Sequence, residues 1–458
     1  MALDVIILAA GQGTRMKSGK AKVLQEIAGR PMLEHVVRTA RGLNADRIAI
    51  VVGHQKEAVK ANFDTSSRSD LIWVDQNKRL GTGHAVRLAI EELTTKNSVI
   101  ILYGDVPMLG IDSLKGCIEE ADRGHLGVLV AQVAEPAGLG RILRDSHGFV
   151  SGIIEERDAS LEQEDISEIN TGIISAPGSL LTELILKIDN RNSQGEYYLT
   201  DVVAEAYQRS ISVVGVMAEN DLEIKGVNDM AQLARAERSF QIMQAQEYML
   251  SGLRLADPER IDVRGSLKFG EDCFLDVNVV IEGDVVLGNN VRVGPGSVIK
   301  NSHIGDNCDV NSHTVVDGAL VEEGCSLGPF ARIRPGSELA KGVKVGNFVE
   351  TKKTRIGENS KASHLAYLGD AIIGDDVNIG AGTVTCNYDG VEKHKTTIGD
   401  RAFVGTNSTL VAPIDLGEGS FVGAGSTVTK DVGLGQLAVG RGKQRNVDGW
   451  FRPGSKSD

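Results

Sequence analysis

Aliphatic residues in the second half of the chain recur with a period close to six. Aliphatic-glycine pairs stand at Leu287-Gly288, Val293-Gly294, Ile304-Gly305, Leu327-Gly328, Val345-Gly346, Ile356-Gly357 and Leu368-Gly369. They continue through Ile373-Gly374, Ile379-Gly380, Ile398-Gly399, Val404-Gly405, Leu416-Gly417 and Val422-Gly423. The steps are mostly six or a multiple of six, and Ile299, Val310, Val316, Ile333, Leu339, Leu410 and Val428 keep register where the glycine is missing. This is neither the period of about 3.6 of an amphipathic helix nor the alternation of a half-buried strand. It suits a solenoid whose short faces each send one aliphatic side chain inward and turn at every corner. The pattern predicts a parallel β-helix of hexapeptide repeats from about residue 269 to 432.

The first half reads differently. Residues 5–10, Val-Ile-Ile-Leu-Ala-Ala, form a continuous apolar run of the kind expected in a buried parallel strand. Further strand candidates are 47–52, 71–74, 99–102, 127–131 and 211–216, with helical patterns such as 32–43 and 83–93 between them. Strands alternating with helices predict an α/β domain, Rossmann-like, over residues 1–228 with a mostly parallel sheet. Residues 229–252 contain no proline, and no glycine before Gly252, with Met230, Leu233, Ala236, Phe240, Met243 and Tyr248 at helical intervals. A single linker helix is expected there, with Asp229 as its N-cap and Gly252 just beyond its end. The β-helix domain then spans 253–437, and 438–458 is a tail.

A length of 458 residues accommodates two or three domains with full cores. Aromatics make up only 4%, which fits a solenoid core of Val, Ile, Leu and Ala. The formal charge of −13 argues against nucleic acid as a partner, so local Arg and Lys must attract any anionic substrate. Five scattered cysteines without CxxC spacing argue for a reducing compartment, against a disulfide framework and against a zinc site. Without a charged leader or an apolar run of about 18 residues, the expectation is a cytoplasmic protein with no membrane partner.

The first strand breaks into Gly11-Gln12-Gly13-Thr14-Arg15-Met16, followed by Lys22. Unhindered backbone N–H groups in such a loop can approach phosphate oxygens, and Arg15 and Lys22 supply charge. Gly-x-Gly alone is equally a structural tight turn, and neither a dinucleotide fingerprint nor a P-loop is complete. Residues 8–15, with Ala21-Lys22-Val23-Leu24, carry the signature of the sugar-nucleotide pyrophosphorylases, which this chain resembles. One proline usual in that family, before the lysine, is replaced by Ala21.

Further stretches narrow the resemblance. They are Gln76 with Leu80-Gly81-Thr82-Gly83-His84-Ala85, Tyr103-Gly104-Asp105-Val106-Pro107, Gly138-x-Gly140-Arg141-Ile142, Glu155, Glu168-Ile169-Asn170-Thr171-Gly172, residues 194–201, and Gly226-Val227-Asn228. With the ladder, they are similar across essentially the whole chain to the bifunctional N-acetylglucosamine-1-phosphate uridylyltransferase/glucosamine-1-phosphate N-acetyltransferases. The resemblance implies that Arg15 and Lys22 hold phosphates during nucleotidyl transfer. UTP and UDP-N-acetylglucosamine would be bound by Leu8, Ala9, Ala10, Gly11, Lys22, Gln76, Gly81, Thr82, Tyr103, Gly104, Asp105, Gly140, Glu155, Asn170 and Asn228. Asp105 and Asn228 would hold Mg²⁺, and a hard ion with few protein ligands and several waters suits that pair. Taken alone, Asp105 could equally be a helix cap or turn residue, and His84 reads as structural.

Departures from the ladder's register mark a second candidate site. Residues 357–367 carry Lys361, His364 and Tyr367, and a polar stretch after Asn387-Tyr388-Asp389-Gly390 makes the step from Ile379 to Ile398 nineteen residues. An irregular coil and an outward loop are expected at these two places. The resemblance, carried by Arg332–Gly336, Val349-Glu350-x-Lys352-Lys353, residues 363–370 and 382–390, makes His364 the general base of acetyl transfer, with Glu350 orienting its ring. Arg334, Lys352, Tyr367, Asn378 and Asn387 would bind glucosamine-1-phosphate. Acetyl-CoA would be bound by Ala381, Asn387, Tyr388, Thr406 (where the family usually has Ser), Ala424 and Arg441, and the Ala381 N–H could face the oxyanion. Cys386 reads as an inert small hydrophobe, and the last residues as a solvated end. The resemblance also implies a left-handed helix and a cyclic homotrimer. Two other readings stay open: a single-activity pyrophosphorylase with a regulatory or oligomerising β-helix, and a non-catalytic assembly subunit.

Overall fold

The structure is a computed structural model that describes residues 2–63, 70–450 and 452. Residues 451 and 453–458, with the solvated end expected there, lie outside the described residues. Two compact units are present, Met1–Phe240 and Gln241–Asp458.

The first unit is built on a sheet of order Val213–Met217, Leu126–Gln132, Glu168–Pro177, Ser98–Tyr103, Leu3–Ala9, Arg47–Val52 and Leu71–Asp75. Every neighbouring pair is parallel except those made by Glu168–Pro177, which runs against both of its neighbours. The hydrophobic run of Leu3–Ala9 lies at the centre because helices cover both faces. Ile6 packs with Val86, Ala89 and Leu93 on one side, while Val5 and Ile7 pack with Val36 and Val37 on the other. Helices Met32–Gly42 and Thr82–Leu93 stand where the pattern predicted them. A hairpin of Gly140–Arg144 and Val150–Ile154 continues from Glu168–Pro177 through the pairs Ile169–Arg141 and Asn170–Gly140. Neither the antiparallel strand nor this hairpin was among the predicted strands.

Helix Met230–Leu250 begins where Asp229 Oδ1 accepts from the Gln232 N–H at 2.8 Å, and Gly252 follows it at φ +101°. Its last turns belong to the second unit. Gln241 accepts from Val263 N (2.8 Å) and donates to Val263 O (3.0 Å), while Ala245 and Tyr248 join the solenoid core.

The second unit is the left-handed parallel β-helix, a prism of short parallel strands. One face is an eleven-strand sheet, and the other two share a seventeen-strand sheet. Inward side chains stack coil upon coil. On the first face the column is Leu275, Val293, Val310, Leu327, Val345, Ala362, Ile379, Val404 and Val422. On the second it includes Ile299, Val316, Ile333, Thr351, Leu368, Thr385 and Leu410; on the third, Ile304, Val321, Leu339, Ile356, Ile373, Ile398 and Leu416. Inward residues are five or six apart in sequence, so a coil closes in 17 or 18 residues. A single five-residue face accounts for ladder steps that fall one short of a multiple of six.

Two register expectations are corrected. Residues 357–367 form a regular coil: Ala362 lies 17 residues after Val345 and 17 before Ile379, inward and 2% exposed. The pattern looked broken only because Ala362 stands in place of a larger aliphatic residue. The insertion is larger than the nineteen-residue step implied. Ile398 stacks on Ile373, and Val404 on Ile379, both 25 residues apart. About seven residues therefore leave the prism at one corner, where an outward loop costs no core contact.

Candidate active sites

In the first unit, the carboxyl ends of the central strands open into a cavity of about 240 Å³. This is where open α/β sheets hold ligands, because the loops leaving adjacent strands diverge there. Leu8, Ala9, Ala10 and Gly11 line it from the end of strand Leu3–Ala9, Gln76 from just after the edge strand Leu71–Asp75, and Tyr103 and Asp105 from the end of strand Ser98–Tyr103. Gly81 and Thr82 at the start of a helix line it with Lys22, whereas the predicted Gly104, Gly140, Glu155, Asn170 and Asn228 are not among its lining residues. Gly104 lies between, its N–H donating to Leu8 O at 3.0 Å.

Three segments far apart in sequence meet in one polar cluster. Lys22 Nζ donates to Asn228 Oδ1 at 2.8 Å and is paired with Asp105 Oδ2. Arg15 donates to the same Asn228 oxygen at 2.8 Å, and Val227 N donates to Asp105 O at 2.9 Å, which fixes the two acceptors side by side. Gly13 permits the approach: at φ +63°, a Cβ there would lie 2.6 Å from Lys22 Cβ.

Gln76 and Thr82 are held just as firmly. Gln76, only 5% exposed, donates to Gly81 O and meets His84 Nδ1, each at 3.1 Å, so His84 has a structural partner as expected. Thr82 accepts from Leu199 N at 3.1 Å. Glu155 and residues 170–172 lie near Tyr103. A side chain at Gly172 would run into the Tyr103 ring, and the Gly172 N–H donates to Asn170 Oδ1 at 3.0 Å. Glu155 accepts from the Thr200 hydroxyl at 3.3 Å, and burial raises its carboxyl above the ordinary value. Burial foremost, then the charges of Glu155 and Asp105, raise the Tyr103 hydroxyl as well, against a lowering contact from Thr82. Gly140 pairs with Asn170 across the two strands.

Sequence reasoning missed Arg79, which lines the same cavity and donates to Gln12 at 2.9 Å. Its position two residues before Gly81 was the available signal. Arg141, quoted as part of a sugar motif, is 2% exposed and turns to the Leu139 and Glu164 carbonyls.

In the β-helix, the coil length of 17 or 18 collects the other candidates. Asn347 and His364 are neighbours across adjacent coils, and the ladder register carries the same position to Ala381, Thr406 and Ala424. Backbone bonds from Leu365 to Asn347 O, Asn407 to Ala381 O and Gly425 to Thr406 O tie this edge together at 2.7–3.0 Å. Arg441 closes it, donating to Ala424 O at 2.7 Å. His364 and four of the acyl-donor candidates thus form one continuous column.

The adjoining face carries the sugar-phosphate candidates other than Asn378. Glu350 and Tyr367 stack in one column, and Lys352 pairs with Gly369 in the next. A side chain at Gly369 would collide with the Tyr367 hydroxyl, so glycine lets that ring lie flat across the coil. At the far edge the inserted loop begins. Asn387 donates to Asp370 Oδ2 at 2.5 Å, and Tyr388 donates to Gly390 O at 2.6 Å. Asp389 braces the loop by accepting from His394 (2.7 Å) and from the Val391 and Glu392 N–H groups. Asn378 sits on the first face, between Lys361 and Phe403. Cys386 is half-buried beside inward-facing Thr385.

One expected contact is replaced. Glu350 is paired with Arg334 at 2.7 Å rather than with His364. The partner of His364 Nδ1 is Asn347 Oδ1, at 2.6 Å. Both carboxylate and amide were within reach in sequence, but the 17-residue coil places Asn347 on the histidine's own edge. Sequence reasoning also missed Lys393. The loop brings it against Lys352, whose direct side-chain contact first, and charge second, hold Lys393 below the ordinary lysine value.

Fold and sites together define a sugar-nucleotide-type nucleotidyltransferase joined to a hexapeptide-repeat transferase. Family profiles match in the same order: "MobA-like NTP transferase domain" over 5–150, "GMPPB C-terminal domain" over 263–356 and "Hexapeptide repeat of succinyl-transferase" over 395–430. "Bifunctional protein GlmU" of Marinobacter nauticus is 49% identical over 451 residues, covering 98% of this chain and 99% of that protein. "Bifunctional protein GlmU" of Alkalilimnicola ehrlichii is 49% identical over 458 residues, covering 100% and 98%. A solved structure described as UDP-glucose pyrophosphorylase complexed with UDP-glucose aligns at 18% identity and a TM-score of 0.44, over 52% of this chain and 98% of that one. The chain belongs to the bifunctional GlmU family.

Proposed function

We infer that the chain makes UDP-N-acetylglucosamine in two transfers, one in each unit. The β-helix acetylates glucosamine-1-phosphate with acetyl-CoA, and the α/β unit couples the product to UMP from UTP. The observation that carries this reading is the pairing, in one chain, of the Lys22–Asp105–Asn228 cluster with a His364-bearing edge built from successive coils.

In uridylyl transfer a phosphate oxygen of N-acetylglucosamine-1-phosphate attacks the α-phosphorus of UTP, and pyrophosphate leaves. The nucleophile is already an anion, so no base is needed, and positioning with charge neutralisation does most of the work. Arg15 and Lys22 hold the phosphates, Gln76, Gly81 and Thr82 read the uracil, and Gly140, Glu155 and Asn170 hold the sugar. Arg79 adds a further cation to the cleft wall. Asp105 and Asn228 suit Mg²⁺, because their oxygens converge on one cation, the Lys22 ammonium. No cluster of three or more acidic, His or Cys ligands occurs among the described residues, so water and phosphate would fill the remaining positions. The ion would neutralise phosphate charge there.

In acetyl transfer the sugar amine attacks the thioester carbonyl, His364 takes the proton, and the coenzyme leaves as thiolate and is reprotonated. Arg334, Lys352, Tyr367, Asn378 and Lys393 bind the sugar phosphate. Ala381, Asn387, Tyr388, Thr406, Ala424 and Arg441 receive acetyl-CoA, with the Ala381 N–H toward the developing oxyanion.

A cyclic homotrimer is the assembly we propose. Phe330, Phe348 and Leu365 form an exposed apolar strip on the His364 edge, and burial against a second copy would cover it. No helix among the described residues is long and apolar enough to cross a membrane, and we place the enzyme in the cytoplasm. Glucosamine-1-phosphate, acetyl-CoA, UTP and Mg²⁺ should together release both thiol and pyrophosphate. Pyrophosphate release from N-acetylglucosamine-1-phosphate without any thiol release from glucosamine-1-phosphate would favour a single-activity enzyme.

A further inference from the structure

We propose that Asn347 is the positioning residue that sets the tautomer of His364, in place of a carboxylate. The proposal rests on His364 being the base of acetyl transfer. Asn347 Oδ1 lies 2.6 Å from His364 Nδ1. An amide oxygen can only accept, so the proton of the neutral ring must sit on Nδ1. Nε2 then carries the lone pair and can take the proton of the attacking amine. With the amide turned round, its NH₂ would donate to Nδ1 and the proton would lie on Nε2, leaving no acceptor for the substrate.

The fold enforces the contact. Asn347 ends the strand Lys344–Asn347 and His364 ends Lys361–His364, and the two are register partners in the parallel ladder. The Leu365 N–H donates to Asn347 O at 3.0 Å, and a side chain at Gly346 would collide with the Ser363 carbonyl. The coils therefore approach closely just where the two side chains meet. The charged groups on these strands are Lys344 and Lys361, and on the adjoining face the Arg334–Glu350 pair, whose carboxylate already has its partner. A neutral amide orients the ring without the nearby negative charge that favours imidazolium, the form that cannot act as a base.

The test uses the full-length enzyme, with uridylyl transfer measured on each preparation to show that the chain is folded. Asn347→Leu should lower kcat for acetyl transfer at least about tenfold, part of the roughly 10²–10⁴ that a general base supplies. KM for both substrates should stay within about twofold. Asn347→Asp restores an acceptor but adds charge. It should recover kcat on the plateau to within about threefold, with the acidic limb of the pH–rate profile moved upward by about one pH unit. A kcat within about threefold of wild type for Asn347→Leu would overturn the proposal, as would an unmoved acidic limb in Asn347→Asp. His364→Ala separates the two claims. Retained acetyl transfer in that variant removes the base itself, whereas a dead His364→Ala beside a normal Asn347→Leu removes only the role of Asn347.

Discussion

Gly13→Ala perturbs the nucleotidyl site through one methyl group. Gly13 sits at φ +63°, where an L-residue costs about 1–2 kcal/mol. The new Cβ would start 2.6 Å from Lys22 Cβ, and ordinary contact begins near 3.4 Å, so the two segments must part by about 0.8 Å. Rotating the lysine side chain cannot relieve a clash at its own Cβ. The shift must move the backbone of the Lys22–Leu24 turn and carry the ammonium away from Asp105 and Asn228. Displacement on the scale of 1 Å costs about 10² in rate where positioning carries catalysis. Uridylyl transfer, followed by pyrophosphate release, should therefore fall about a hundredfold. Acetyl transfer, followed by thiol release, should remain within about twofold. Gly19→Ala is the control, because its added methyl meets nothing within 4 Å. Uridylyl transfer within about threefold of wild type in Gly13→Ala would refute the argument that this glycine sets the lysine's position.

Two further outcomes follow from charge. Lys393 is held below the ordinary lysine value by Lys352, and it must be protonated to attract a phosphate. KM for glucosamine-1-phosphate should thus begin to rise at lower pH than a free lysine would dictate, and in Lys393→Met it should be raised at least about fivefold with that rise lost. A pH-independent KM up to the ordinary lysine range would count against the pair. Asp201 is pushed up to about 6, by burial first and then by Asp189, Glu155 and Asp158. An acid raised on folding contributes stability below its unfolded value that is lost as pH rises through about 6. Because Asp201 is only partly buried, Asp201→Asn should gain about 1–2 kcal/mol at pH 7–8, less a few tenths lost at its helix N-terminus, and nothing below about pH 4. Urea titrations at both pH values measure this, and a less stable variant at pH 8 refutes it.

Much of the architecture was legible because burial repeats. The ladder survives wherever an inward position carries Val, Ile or Leu, and residues 48–52 and 99–102 are unbroken apolar runs. The pattern failed where the core accepts other residues. Thr351 and Thr385 are inward and fully buried, with hydroxyls satisfied by Ser337 and by Gly369 O, and Ala362 replaces a larger side chain. Reading Ile379 to Ile398 as one nineteen-residue step then hid most of an insertion, because those two residues lie on different faces. Strand Glu168–Pro177 was missed because Asn170-Thr171-Gly172 interrupts it, at the irregularity that presents Asn170 and clears space for Tyr103. Candidate residues fixed by motif, such as Gln76 and Asp105, converge on one cavity. Contacts between coils, such as Asn347 with His364 and Lys393 with Lys352, depend on the exact coil length and had no local signal.

The central claim is that one chain holds two separate active sites, and paired variants test it most directly. Asp105→Ala and His364→Ala should be assayed side by side, with pyrophosphate and thiol release followed separately. The account predicts that Asp105→Ala loses uridylyl transfer and keeps acetyl transfer, and that His364→Ala loses acetyl transfer and keeps uridylyl transfer. Loss of both activities in either folded variant would contradict it.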